Sequence, residues 1–305
     1  MTRSDAQDAL AVLRQSATSG AFLDTPDPLV SIDTRAKGSS PSTRRAPHRP
    51  RPAEARQSPH EGARSLVSNG HSMIDRALPR PARCAISWSA GKDSWLALTR
   101  AREQGLAVTT FVTMCDADGT SKSHALPPAL VDAQVRALGG TPVSVRVPQG
   151  EYAASFDACL RELAASGHTH MIFGDIDLQA HRDWLAPACE RAGLVPLFPL
   201  WGESRAALAR ELVTRGVQAR VVCVDTSTLD ASFCGAGYDA AFLARIPDTV
   251  CPCGEDGEFH TFVTGGPGFA APLHVVDGPQ RRVASQPPFT PTEFVFQALS
   301  LAERP

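Results

Sequence analysis

Eight consecutive residues, Ser87-Trp88-Ser89-Ala90-Gly91-Lys92-Asp93-Ser94, collect the groups that handle phosphate. The small residues Ser89, Ala90 and Gly91 let the backbone turn tightly and bring several N–H groups against an anion. A helix opening here adds the positive end of its dipole and its unpaired amides. Lys92 offers a mobile positive charge, Ser87, Ser89 and Ser94 offer hydroxyls, and Asp93 is a candidate Mg²⁺ ligand. Together they read as a cradle for pyrophosphate. It is not a Walker A loop, because Ile86 stands where that motif needs glycine and Asp93 follows the lysine in place of Ser or Thr. An ordinary turn that happens to contain Gly, Lys and Ser is the bland alternative, and a preceding strand with a following helix argues against it.

A second cluster is Gly254-Glu255-Asp256-Gly257-Glu258-Phe259-His260-Thr261, three acids with a histidine and a threonine. Buried unpaired carboxylates are costly, so such a segment belongs to a site or to a solvated hairpin turn. If Glu258–Phe262 is extended, Glu258, His260 and Phe262 share one face, and Phe259 with Thr261 the other. Glu258 and His260 then form a pair for gripping a cationic or amide-bearing substrate and moving a proton. Asp175, just past a predicted strand, suits Mg²⁺, a ribose, an incoming amine or a helix N-cap. His124, before the second helix, reads as a capping or surface histidine. Asp116 and Asp118 face a base or form a turn with Gly119. Cys251-Pro252-Cys253 lacks the second pair that structural zinc needs, and reads as loop packing.

The elements that must position these groups alternate. Strands are expected at Cys84–Trp88, Val108–Met114, Pro142–Val147 and Met171–Phe173. Helices are expected at Asp93–Gln104, Leu126–Leu138, Tyr152–Ala165, Trp184–Arg191 and Ser204–Thr214, with Val217–Val224 as the final strand. Strands separated by helices pair in parallel with right-handed crossovers, which gives a doubly wound α/β sheet. Such sheets bind ligands beyond the carboxyl ends of their strands, where the Ser87–Ser94 loop and Asp175 fall. The expected organisation is a disordered leader over 1–80, an α/β domain carrying the pyrophosphate cradle over 81–228 and a smaller C-terminal α+β substrate-binding region over 229–305.

The chain has 305 residues and a formal charge of −2, which excludes a polycation seeking nucleic acid. Residues 1–80 carry a balance of +4 and the rest −6, and nine prolines fall between Pro26 and Pro81. That leader buries too little apolar surface to order itself beyond a short helix near Ala6–Leu13. It fits neither a secretory signal nor an acid-poor transit peptide, and Met73 is a candidate start. No apolar run suits a membrane span, and eight scattered cysteines suggest no disulfide framework, so a cytoplasmic protein is expected.

The Ser87–Ser94 string resembles the S-G-G-K-D-S pyrophosphate loop (PP-loop) of the adenine nucleotide alpha hydrolase-like ATP pyrophosphatases, with Ala90 replacing a glycine. Phe173-Gly174-Asp175-Ile176, Arg182-Asp183-Trp184, Pro199-Leu200-Trp201-Gly202 and Cys253–Phe262, with Gly266-Pro267 after them, resemble the diphthine–ammonia ligase family from about residue 83 to 270. The resemblance implies a Rossmann-like fold and ATP cleavage to AMP and pyrophosphate. It implies an acceptor carboxylate that is adenylated and then amidated by ammonia. In that family the acceptor is diphthine, a modified histidine of elongation factor 2; the Ala/Arg-rich composition suggests that another carboxylate serves here. The implied roles are ATP binding by Ser87, Ser89, Ala90, Gly91, Lys92, Ser94 and Asp175, and Mg²⁺ binding by Asp93. Glu255, Glu258, His260, Thr261 and His124 would hold the acceptor, and Lys92, Asp93, Glu258 and His260 would act in catalysis. No nucleic acid or membrane partner is expected, and a homodimer is left open. A tRNA-modifying ATP pyrophosphatase and a non-catalytic nucleotide sensor are the alternatives.

Overall fold

The computed structural model describes residues 82–285 and 292–302. The expected leader, its Ala6–Leu13 helix and the start at Met73 lie outside the described residues.

Five strands, β1 (Arg83–Ser87), β2 (Ala107–Cys115), β3 (Thr141–Arg146), β4 (His170–Ile172) and β5 (Val195–Leu197), form one parallel sheet in the order β3-β2-β1-β4-β5. Helices α1 (Lys92–Glu103), α2 (Pro128–Ala137), α3 (Tyr152–Ala165) and α4 (Gln179–Arg191) make the crossovers, and α5 (Arg205–Thr214) leads out of β5. The winding reverses between β1 and β4, so the crevice for a ligand opens beyond Ser87 and Ile172. The expected α/β fold is present.

The central strand explains the layering. In β1, Cys84 and Ile86 pack with Trp95, Leu96 and Phe111 on one face, while Ala85 packs with Phe156, Met171 and Phe173 on the other. Helix α1 stops where Gly105 takes φ +82°, a left-handed conformation that glycine adopts without penalty. On α2, Leu130, Val131, Val135 and Leu138 form the apolar stripe, and Gln134 occupies a place within it.

The strand expected to complete the parallel sheet does not. β6 (Gln218–Asp225) instead sits in a second, wholly antiparallel sheet with β7 (Phe259–Gly265), β8 (Val275–Ala284) and β9 (Glu293–Leu301), in the order β7-β6-β9-β8. Its apolar run signals burial but not direction, and its hydrogen-bonding partners come only later in the chain. A 3₁₀ turn (Ala231–Phe233) and α6 (Ala240–Arg245) precede β7. The short β5 was also not foreseen; three residues give no period to read.

The free edge of β7 fastens the second sheet to the loop after β1. Val263 N donates to Ala90 O at 3.0 Å, and Lys92 N to Thr261 Oγ1 at 3.1 Å. Among the described residues no helix is long and apolar enough to cross a membrane.

Candidate functional site

A cavity of about 460 Å³ opens at the reversal point, bordered by the Ser87–Ser94 loop, the turn after β4 and the Cys253–Thr261 segment. Ser87, Ser89, Lys92, Asp93 and Ser94 all line it. The loop is braced from within: Gly91 N donates to Ser89 Oγ at 3.2 Å, Ser94 Oγ donates to Gly91 O at 2.9 Å, and the Ser89 and Ser94 hydroxyls lie 3.2 Å apart. Gly91 lets His124 pack against the loop: a Cβ there would fall 2.6 Å from His124 Cε1, so the imidazole would have to shift. Ala90, replacing a glycine of the resembled loop, has φ +69° and is fully buried. A left-handed alanine costs roughly 1–2 kcal/mol, held here by the pairing of its carbonyl.

That carbonyl has a second donor. Gln134 Nε2 donates to Ala90 O at 3.0 Å and to Val263 O at 2.5 Å, while its Oε1 accepts from Trp88 Nε1 at 2.8 Å. Sequence reasoning passed over Gln134; the signal was a lone amide in the apolar stripe of a helix. Trp88 is thereby a packing residue, as are Trp184 against Phe156 and Trp201 beneath the Arg182 guanidinium.

Lys92 was expected to be mobile and is not. It is 2% exposed, and its Nζ donates to Asp93 Oδ2 at 2.8 Å and to the Cys253 carbonyl. The rings of Tyr238 and Phe259 lie 5.6 and 5.4 Å from Nζ. Burial works against the charge, but Asp93 and its other neighbours outweigh it and hold the Lys92 ammonium above the ordinary lysine range. The result is a fixed cation in the cavity wall.

Asp93 Oδ1 is buried without a hydrogen-bond partner. An orphaned carboxylate oxygen facing a cavity is what a hard cation needs, so the residues present fit Mg²⁺. Among the described residues no three His, Cys, Asp or Glu side chains converge as a metal set. One or two carboxylates suffice when phosphates supply the remaining oxygens.

Asp175 lines the same cavity and is not the helix N-cap, for α4 starts at Gln179 with Leu178 in that place. Its Oδ1 lies 2.9 Å from His181 Nδ1. Gly174 lets this turn approach α1: a Cβ there would meet Ser94 N at 2.9 Å. Glu255 completes the acidic lining. Burial first, then the nearby Asp93 and Asp175, push its carboxyl up to about 8, against the opposing pull of Lys92 and Arg205.

His124 and His260 form a pair with ring centroids 4.8 Å apart. Burial, then Lys92, lowers the His260 imidazole to about 4. Burial, then His260 and Lys92, holds His124 well below its ordinary range, against a smaller opposing contribution from the Ser89 backbone. His124 Nδ1 is buried and unpartnered. Both rings are therefore neutral acceptors or single donors at pH 7.

Glu258 departs from expectation. It is 4% exposed and does not line the cavity beside His260. Its two oxygens accept from Cys251 N at 2.7 Å and Asp256 N at 3.0 Å. The carboxylate closes the loop that aims the Cys253 carbonyl at Lys92 and Glu255 at the cavity. The alternation failed because Glu258 precedes β7, whose first residue is Phe259, and because the cavity runs along the strand's edge, where Phe259, His260 and Thr261 all border it. Glu258 is thus a positioning residue. Arg205, also missed, ties the loops together through Asp177 at 2.7 Å and Asp256 at 2.8 Å. Asp116 and Asp118 only shape their turn, pairing with Lys122 and accepting from Thr120 N respectively.

Residues 82–196 match the family model described as the diphthamide synthase N-terminal domain, and residues 204–285 the diphthamide synthase C-terminal domain. Over 122 residues the chain is 30% identical to a human protein named diphthine–ammonia ligase, spanning 38% of this chain and 45% of that relative's length. From the cavity's loop through the second sheet, then, the two matched domains run in the order of the fold, and the chain belongs to the diphthine–ammonia ligase family.

Proposed function

We propose that this chain is an ATP-dependent C–N ligase that adenylates an acceptor carboxylate and then amidates it with ammonia. One observation carries the reading: a loop rich in hydroxyls and amides, with a fixed buried lysine, stands at the reversal point of a parallel sheet and shares its cavity with carboxylates and neutral imidazoles.

ATP lies with its β- and γ-phosphates against Ser87, Ser89 and Ser94, whose loop Gly91 lets turn tightly. Asp93 and Asp175 would hold Mg²⁺, which would supply neutralisation of phosphate charge. An oxygen of the acceptor carboxylate attacks the α-phosphorus, the bond to the β-phosphate oxygen breaks, and pyrophosphate leaves. Lys92 opposes the charge developing on the leaving group from a position fixed before the reaction, so little reorganisation is needed. The lone pair of ammonia next attacks the acyl carbon, AMP departs, and the proton lost by nitrogen goes to a lining base. Glu255 in its ionised form serves that role, while ammonium gathers beside Asp175 and yields a proton to water before its lone pair can attack. Proximity of the two reactants supplies most of the acceleration.

The test is product analysis with ATP, ammonium and a panel of carboxylates. AMP and pyrophosphate are expected. ADP and inorganic phosphate as products would overturn the reading, and tight ATP binding without cleavage on any acceptor would make the protein a sensor.

A further inference from the structure

A second cavity, of about 280 Å³, adjoins the first, and His124 borders both. It lies between the turn after His124 and the second sheet. Leu126, Val222 and Phe296, all buried, form its apolar walls. Arg281 is the charged side chain at its border; the guanidinium sits 5.7 Å from the centroid of the Phe296 ring, while its neighbour Arg282 is paired with Glu293. The backbone is shaped around this space. Ala125 takes φ +53°, held by Ala125 N donating to Ser121 O at 3.0 Å and Leu126 N to Ser121 Oγ at 3.1 Å. The register of β8 shifts between Asp277 and Gln280, which brings Pro279 to the rim. Bulges of this kind recur beside binding sites, where they re-aim a strand.

An apolar space with one guanidinium at its border selects an anion on an apolar body. Neither the lysine nor the acidic lining of the first cavity reaches it, so its selectivity is its own. Its one shared wall is the imidazole whose Nδ1 has no partner.

We propose that the second cavity is the acceptor's subsite and that the acceptor is an apolar-bodied dicarboxylate: one carboxylate rests on Arg281, and the other passes His124 to meet the nucleotide. This rests on the ligase reading above. His124 Nδ1, when protonated as the neutral tautomer, donates to the reacting carboxylate and orients it.

The test uses octanedioate and 8-aminooctanoate, which share a chain length but differ in one end charge, on the full chain by calorimetry and by NMR of the histidine ring signals. Octanedioate is expected to bind about tenfold more tightly than 8-aminooctanoate, close to 1.4 kcal/mol, and to shift the His124 resonances. Arg281→Gln is expected to erase that preference while ATP affinity stays within about twofold, since Arg281 lies outside the nucleotide's cavity. Equal affinity for the two probes, a preference that survives Arg281→Gln, or unmoved His124 signals would each overturn the subsite. ATP titration of the same wild-type sample separates the two readings. Loss of probe binding with ATP binding retained removes the subsite alone, whereas failure to bind ATP removes the ligase reading and the acceptor role with it.

Discussion

The larger cavity carries two contrasting linings, the carboxyl groups of Asp93, Asp175 and Glu255 and the imidazoles of His124 and His260. Glu255 and the two imidazoles lose water on folding, yet burial drives them oppositely in proton affinity. A desolvated carboxylate holds its proton more tightly and a desolvated imidazole sheds it. Glu255 moves up to about 8 and His260 down to about 4, so each moves toward neutrality. The lesson is that the cavity discards the charges it can discard and keeps Lys92, whose partner Asp93 is adjacent in sequence. The triphosphate proposed to enter it would meet one committed cation rather than a scatter of titrating groups.

The largest expected effect breaks this contrast by pH. Glu255 binds a proton in the folded state between about 4.5 and about 8 where the unfolded chain does not, so stability falls as pH rises through that window. Glu255→Gln is expected to flatten the fall, with a gain of about 3 kcal/mol over the parent at pH 8 in denaturant titrations. His260 has the opposite sign: the unfolded chain binds a proton between about 4 and 6.5 that the folded state refuses, so stability falls as pH drops through that range. His260→Gln is expected to remove that acid-side loss, and a parent whose stability is flat on both sides would discredit the contrast.

Next in size is Lys92→Ala, which removes the one committed cation. ATP affinity is expected to fall by about a hundredfold, near 2.7 kcal/mol, in calorimetry at fixed salt. An unchanged affinity would place the phosphates elsewhere. Glu258→Gln is smaller and local. It weakens one of the two backbone bonds, costing about 1–2 kcal/mol, and hydrogen exchange at the Cys251 and Asp256 amides is expected to accelerate while the parallel sheet's amides stay protected. Exchange unchanged at those two amides would restore Glu258 to the cavity. The smallest effect is Ala90→Gly. Relief of the left-handed alanine outweighs the lost methyl by about 0.5 kcal/mol, a gain readable as a slightly higher denaturation midpoint.

Much of the first lining was legible in the sequence and much of the second was not. The Ser87–Ser94 loop declares itself because strand, turn and helix are contiguous, and local spacing fixes which groups face the ligand. Asp175 was legible for the same reason, as the residue past a strand end. His260 and Thr261 were found by composition, but their arrangement was not, because it depends on β7 lying edge-on to the cavity. Glu258 misled because a carboxylate that binds backbone amides looks, in sequence, like one that binds substrate. Ala90's positive φ is held by Val263, far along the chain, and β6 enters the second sheet through strands that come only later, bonds that no local periodicity records.

Gln134 has a consequence beyond packing. Its one amide group touches the loop at Ala90 and the strand at Val263, so the Ser87–Ser94 loop and the second sheet share a fastener. When one yields, the other must re-form its bonds. A displacement at Ala90 is thereby felt at Val263, on the edge strand of the second sheet, across a single side chain.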